Sequence, residues 1–197
     1  MPVRERDAAI DRLLAAHSFP GWNIPALTDA AGADADMLFP GGTLDLIEAY
    51  CDLGDRRMEA GAAALDLSGL RLPARVRAVL ALRLAQNRPH RDAVRRAVGV
   101  LARPRNLGLA ARCTARTVDA VWHAAGDVSV DFSWYTKRAI LAGVYGATLL
   151  YWFRDDSEND AATLAFLDRR LADVGRIGRL RRRPYAAAPS PAASGAA

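Results

Sequence analysis

Pro25-Ala26-Leu27-Thr28-Asp29-Ala30-Ala31-Gly32, followed at once by Ala33-Asp34-Ala35-Asp36-Met37-Leu38-Phe39, is the stretch whose reading decides the fold. Pro25 sits where a helix begins, because the amide proton it lacks has no intrahelical partner at the first position. Gly32 ends that helix, and the small Ala30 and Ala31 before it let a second helix approach closely. Asp34 to Leu38 forms a short further element that Phe39-Pro40-Gly41-Gly42 stops. Upstream, Ile10, Leu13 and Leu14 share one face of a helix from about Val3 to Ala16, broken by Phe19-Pro20-Gly21-Trp22.

Downstream the helical period continues. Thr43 is read as the cap of a long helix through Leu44, Ile47, Tyr50, Leu53 and Met58. Leu70 to Leu84 and Arg91 to Leu101 read as two more, separated at Pro89 and closed by Pro104. Gly108 to Ala125 follows, with Gly126 as a left-handed C-terminal cap. Asp131 or Ser133 then caps a helix carrying Trp134, Tyr135, Ile140, Leu141, Val144, Tyr145 and Leu149, and a last helix holds Leu164, Leu167, Leu171 and Val174 on one face. With no alternating strand pattern, the chain is read as all-α with about nine helices. The expected layout is one helical domain over 1–183 and, from Pro184, a disordered tail of Ala, Pro, Ser and Gly over 184–197. Within the domain, about 3–42 forms a helix-turn-helix, about 43–175 a ligand and dimer part, and 176–183 a basic segment.

The N-terminal arrangement resembles the DNA-reading end of TetR-type regulators, whose second and third helices meet at a glycine turn. Its chemistry is wrong for DNA. Asp34 and Asp36 stand where a recognition helix would face phosphates, and that segment holds none of the Arg, Lys, Asn or Gln side chains that bind the backbone and read bases. The architecture is read as retained with its DNA surface lost, so no nucleic-acid partner is expected. Arg4, Arg6 and Arg12 on the first helix keep a DNA-binding regulator with an apolar effector as the alternative.

Composition bounds the rest. A chain of 197 residues, 51% of them hydrophobic, suffices for one sizeable core. Cys51 and Cys113 lie far apart with no C-x-x-C spacing, which argues against a disulfide scaffold or a zinc site and suits a reducing, cytoplasmic compartment. Charges crowd the first residues where a signal peptide needs an apolar run. The longest uncharged apolar run, Ala139 to Phe153, has 15 residues, short of the about 20 a membrane-spanning helix needs. Five arginines, Arg176, Arg179, Arg181, Arg182 and Arg183, account for the net charge of +5. The basic character therefore belongs to one terminal segment, suited to an anionic membrane surface or an acidic partner. There Leu171, Val174, Ile177 and Leu180 recur every third residue and rotate off one face, while Gly175 and Gly178 weaken helicity by roughly 1 kcal/mol each.

Catalytic patterns are thin. His17, His90 and His123 fall on separate segments without metal-ligand spacing, and no nucleophile elbow, phosphate loop or dinucleotide fingerprint occurs. Asp127 and Asp131 flank a turn and are read as caps, and Asp155 and Asp156 lie beyond the next helix. No catalytic residue, metal or cofactor is expected, and the chain is read as not an enzyme. An apolar inter-helix site is better supported, with Leu80, Leu84, Leu101, Trp122, Trp134, Leu141, Tyr145 and Trp152 lining one side. A plain filled core has the same periodicity.

Trp122-His123-Ala124-Ala125-Gly126-Asp127 and then Asp131-Phe132-Ser133-Trp134-Tyr135-Thr136-Lys137-Arg138, which holds the chain's one lysine, resembles the signature of the ninth Coq protein family. The resemblance extends to Phe39-Pro40-Gly41-Gly42, Pro104-Arg105-Asn106, Asp155-Asp156-Ser157 and Thr163 through Arg170. It implies a homodimeric TetR-like helical protein that does not bind DNA. Such a protein holds an isoprenoid or phospholipid in an apolar pocket and hands quinone intermediates to the ubiquinone-pathway hydroxylase at the inner face of the membrane. Carried onto this chain, it places Trp134 and Tyr135 in the lipid and partner region and Pro104, Arg105, Asn106 and Leu107 on a partner surface. Family members commonly end in an amphipathic membrane helix, whereas here Arg176, Ile177, Arg179, Leu180, Arg181, Arg182 and Arg183 are the only membrane-contact candidates. Leu107-Gly108 also departs from the family's usual residues after the asparagine.

Overall fold

The computed structural model describes residues 3–127 and 134–181, apart from the side chains of residues 134 and 177–181. Eight α-helices and no strand occur among the described residues: α1 (Val3–Leu14), α2 (Ile24–Ala31), α3 (Gly42–Ala63), α4 (Leu72–Asn87), α5 (Arg91–Leu101), α6 (Leu107–Ala124), α7 (Trp134–Trp152) and α8 (Ala161–Arg181). The expected ninth helix is a single 3-10 segment, Ala33–Leu38. Six residues between Gly32 and Phe39 leave no length for an α-helix, and the tighter turn is the usual form of so short a piece.

Local chemistry sets most helix starts. Asn23 Oδ1 accepts the Ala26 amide at 2.9 Å and caps α2, with Pro25 in the first turn. The expected Thr43 cap is wrong: α3 begins two residues earlier, Gly41 occupies the cap position, and Asp45 Oδ2 accepts the Gly41 amide at 3.3 Å. Thr43 lies inside the first turn, because Gly42, at φ 66, already turns the chain into the helix.

Helix α3 ties the molecule together. Its first half, through Leu46, Ile47 and Leu53, packs with α1, α2 and Phe39, and its second half, through Met58 and Ala62, packs with α4, α6, α7 and α8. Charge pairs fix α1 along it. Asp7 takes Arg56 through both oxygens at 2.8 and 2.7 Å, Asp11 takes Arg57, and Arg6 pairs with Asp45 beneath the Phe39 ring. Arg6 and Arg12, which had kept the regulator reading alive, thus bond within the protein, Arg12 to the Ala31 carbonyl at 3.3 Å.

The weak helicity expected at the basic end is corrected by α8, which runs unbroken through Gly175 and Gly178 to Arg181. Packing overrides propensity there. Leu167 is fully buried, Arg77 of α4 holds Asp168 at 2.9 Å, and Phe166 stacks on Tyr151 with centroids 4.6 Å apart. The side chains of Ile177, Arg179, Leu180 and Arg181, the residues Arg182 and Arg183, the caps expected at Asp131 and Ser133, and the tail over 184–197 lie outside the described residues.

Candidate functional site

The turn after α6 is built by its glycine. Gly126, at φ 74, lets the Asp127 amide reach the Trp122 carbonyl at 3.0 Å while its own amide reaches His123 at 2.9 Å. This double bond closes a helix end through a left-handed residue. It brings α7 back along α6, where Lys137 Nζ lies 3.8 Å from Asp127 and Arg138 pairs with Asp119. Asp127, read from the sequence as a cap, thus also answers a cation across the corner.

Beside this corner lies an apolar groove of about 180 Å³. Leu72, Pro73 and Val76 of α4 form one wall, Ile140, Leu141 and Val144 of α7 another, and Leu171, Val174 and Gly175 of α8 the third. Trp122 of α6 and Lys137 of α7 add the two polar atoms. The Trp122 Nε1 is buried without a hydrogen-bond acceptor, and such a group left alone costs about 1–3 kcal/mol. Of the residues expected to hold lipid whose side chains are described, Trp122 and Leu141 line this groove; the side chain of Trp134 lies outside the described residues. The others lining it carry ordinary helical periodicity; Leu171 and Val174 had stood out only as one face of the last helix.

The remaining expected lipid residues are distributed elsewhere. Leu80, at 1% exposure, fills the core between α3, α4 and α6; Leu84, also at 1%, packs with Val94, Leu149 and the fully buried Trp152. Leu101 and Tyr145 line a second cavity of about 90 Å³, enclosed by α3, α4, α5, α6 and α7. Its polar side is a cluster that sequence reasoning missed. Arg83 of α4 is 6% exposed, and its Nη2 meets Asp55 Oδ1 at 3.1 Å. Thr117 Oγ1 donates to the same oxygen at 2.9 Å, and Arg116 Nε reaches the other at 3.4 Å. Burial pushes the Asp55 carboxyl up, against the pull of Arg83, Thr117 and Arg116. It pushes the Tyr50 and Tyr145 phenols up as well, so both remain protonated donors. Cys51 and Cys113, far apart in sequence, meet at this cavity as free thiols; the hydrogen bond between them and then burial push Cys51 up.

The expected partner residues do not form one patch. Pro104–Asn106 is a 3-10 turn in which Pro104 and Arg105 are exposed, but Asn106 is buried and donates from Nδ2 to the Val100 carbonyl at 2.8 Å. Its role is to brace the α5–α6 corner. Leu107 is 56% exposed at the start of α6, whereas Tyr135, 77% exposed, follows that helix's other end. From Leu107 to Asp119, the partner of Arg138, α6 climbs about 18 Å, so the two lie on opposite ends of the bundle.

The Asp155-Asp156-Ser157 stretch is a structural corner. Asp155 accepts the Ser157 amide at 2.9 Å, the Thr163 amide at 2.7 Å and the Thr163 hydroxyl at 2.5 Å, capping α8. Burial alone would raise its carboxyl, but these bonds outweigh that and hold it well below the usual range. Asp160 is buried against Arg88 and Arg91, and the Arg91 guanidinium lies over Trp152. No group of His, Cys, Asp and Glu suited to a metal occurs among the described residues. A wider depression of about 280 Å³ between α1 and α3 is lined by the ion pairs already described, a poor surface for an apolar ligand.

Comparison with known proteins agrees with this architecture. The COQ9 family model matches residues 107–178. The COQ9-A ubiquinone biosynthesis protein of Xenopus laevis mitochondria is 31% identical over 170 residues, 80% of this chain and 54% of that protein. The rat mitochondrial COQ9 ubiquinone biosynthesis protein is 42% identical over 83 residues, 42% of this chain and 27% of its own length. The match thus spans about a quarter to a half of these relatives. Among solved structures, a TetR transcriptional regulator from Nitrosomonas europaea superposes with a TM-score of 0.67 at 22% identity, covering 88% of this chain and 98% of that one. At that identity the likeness concerns the fold.

Proposed function

We propose, for a chain whose residues 107–178 belong to the COQ9 family, a non-enzymatic accessory role in ubiquinone biosynthesis: it holds an isoprenoid or quinone intermediate and presents it to the pathway's hydroxylase. The groove between α4, α6, α7 and α8 carries this reading. Aliphatic walls suit an isoprenoid tail, and the unpaired Trp122 N–H with the Lys137 ammonium beside it suits the oxygens of a head group. Its floor belongs to the stretch that the family shares with this chain.

Native mass spectrometry of gently purified protein tests it. Wild type is expected to carry an apolar lipid, and Ile140→Arg, which puts a charge at a 39% exposed groove position, is expected to lose it while folding normally. Empty wild type, or a variant equally loaded, overturns the reading. Tyr135, exposed at the groove's end of the molecule, is the proposed hydroxylase contact; Tyr135→Ala should weaken that complex and leave lipid content unchanged. The protein is proposed to be a homodimer through the outward row of α7, where Ala139 and Leu150 are exposed. Leu150→Glu is expected to sediment as a monomer where wild type sediments as a dimer, and an unchanged mass places the interface elsewhere.

A further inference from the structure

We infer that the cavity beside Arg83 is a binding site for a small monocarboxylate with an apolar body. It is separate from the lipid groove and does not rest on the lipid reading. A guanidinium offers five N–H donors in a planar fork, and here one nitrogen meets one carboxylate oxygen while Nε and Nη1 have no partner. Thr117 and Arg116 share the oxygens of Asp55 with it. The Tyr145 phenol also hydrogen-bonds Arg83, and the two remaining nitrogens are buried donors that a further acceptor would complete.

The adjoining space is shaped for one. At about 90 Å³ it is several times the about 10–15 Å³ that one water requires. Its lining brings Arg83, Asn87 and the Tyr50 and Tyr145 phenols together with Val94, Val98 and Leu149. Donors beside aliphatic carbon call for an oxyanion joined to a hydrocarbon body, and a carboxylate is an acceptor that a guanidinium N–H binds strongly. A cationic ligand would meet Arg83 as a like charge. Gly54 makes room for the outer edge of the guanidinium, since a side-chain carbon there would lie 2.2 Å from Nη1 and 2.6 Å from Nη2.

Titration calorimetry of the full chain with acetate, butyrate and benzoate tests this, with benzamide as the neutral isostere of benzoate. Butyrate or benzoate is expected to bind, at least tenfold more tightly than acetate for the better of the two, and benzamide at least tenfold more weakly than benzoate if benzoate is the ligand. Arg83→Met should abolish binding. Should that variant fail to fold, Val98→Phe, which fills the cavity from its aliphatic lining, should abolish binding with an ordinary unfolding transition. No binding by any of the three acids, equal binding of benzamide and benzoate, or undiminished binding in a folded Arg83→Met or Val98→Phe protein overturns the assignment.

Discussion

A methyl group added at Gly54 would lie 2.2 Å from Arg83 Nη1 and 2.6 Å from Nη2, whereas one added at Gly99 meets nothing within 4 Å. Both glycines sit inside helices, where alanine is worth about 1 kcal/mol more than glycine. The two substitutions should therefore act with opposite signs. Gly99→Ala is expected to stabilise by up to about 1 kcal/mol, while Gly54→Ala must push a buried guanidinium off Asp55 and is expected to destabilise by about 1–3 kcal/mol. Urea unfolding of the two variants decides it, and a stabilised Gly54→Ala would mean that Arg83 is not held as described. None of this was legible in the sequence. Arg83 in Ala81-Leu82-Arg83-Leu84 reads as one more charged residue on a solvated helix face, because its partners Asp55 and Thr117 come from other helices. Cys51 and Cys113 were separable by spacing alone, and only the packing of α3 on α6 unites them.

At the scale of the helix, legibility followed the range of the cause. Gly32, Pro104 and Gly126 act within a few residues of themselves, and each marks the boundary it was read to mark. Thr43 misled because Gly42 one residue earlier already supplies the turn, and α8 outran its glycines because Leu167, Phe166 and Asp168 anchor it to other helices. The groove was half legible for the same reason. Trp122 and Leu141 stood out, but Val76 and Ile140 join them only once α4 and α7 are packed. The start of α8 supplies a test. Asp155 holds two amides and a hydroxyl as a carboxylate, so Asp155→Asn is expected to cost about 1–3 kcal/mol at neutral pH. With the folded carboxyl lowered, the stabilisation is complete above the unfolded value of about 3.9 and is lost as pH falls from there toward the folded value. The gap between wild type and variant in urea midpoint should hold from pH 7 to about 5 and close below about 4. A gap that is flat down to pH 2 would assign the loss to packing.

Across the whole molecule, charge is placed rather than spread. Arginines of the bundle answer carboxylates, Arg56 to Asp7 and Asp52, Arg57 to Asp11, Arg77 to Asp168 and Arg88 to Asp160, while the sequence's surplus sits in the five arginines from Arg176 to Arg183. At the other end the segment that would enter a DNA groove exposes Asp34 and Asp36. No described helix is long and apolar enough to cross a membrane; attraction of the basic segment to an anionic surface would be worth about 1 kcal/mol per basic residue. Cosedimentation with phosphatidylserine-containing vesicles should therefore weaken by two to three orders of magnitude, about 1 kcal/mol for each arginine removed, when Arg179, Arg181, Arg182 and Arg183 are changed to Gln. It should also vanish near 1 M salt, where the screening length falls to about 3 Å. Duplex DNA offers the same kind of charge, so at matched low salt it separates the two readings of the fold. A protein that reads DNA through the Ala33–Leu38 segment would gain affinity from Asp34→Asn and Asp36→Asn and be indifferent to the terminal arginines. A membrane-facing one would respond the other way round, and vesicle binding that survives both 1 M salt and the glutamines would move the attachment onto an apolar surface of the bundle.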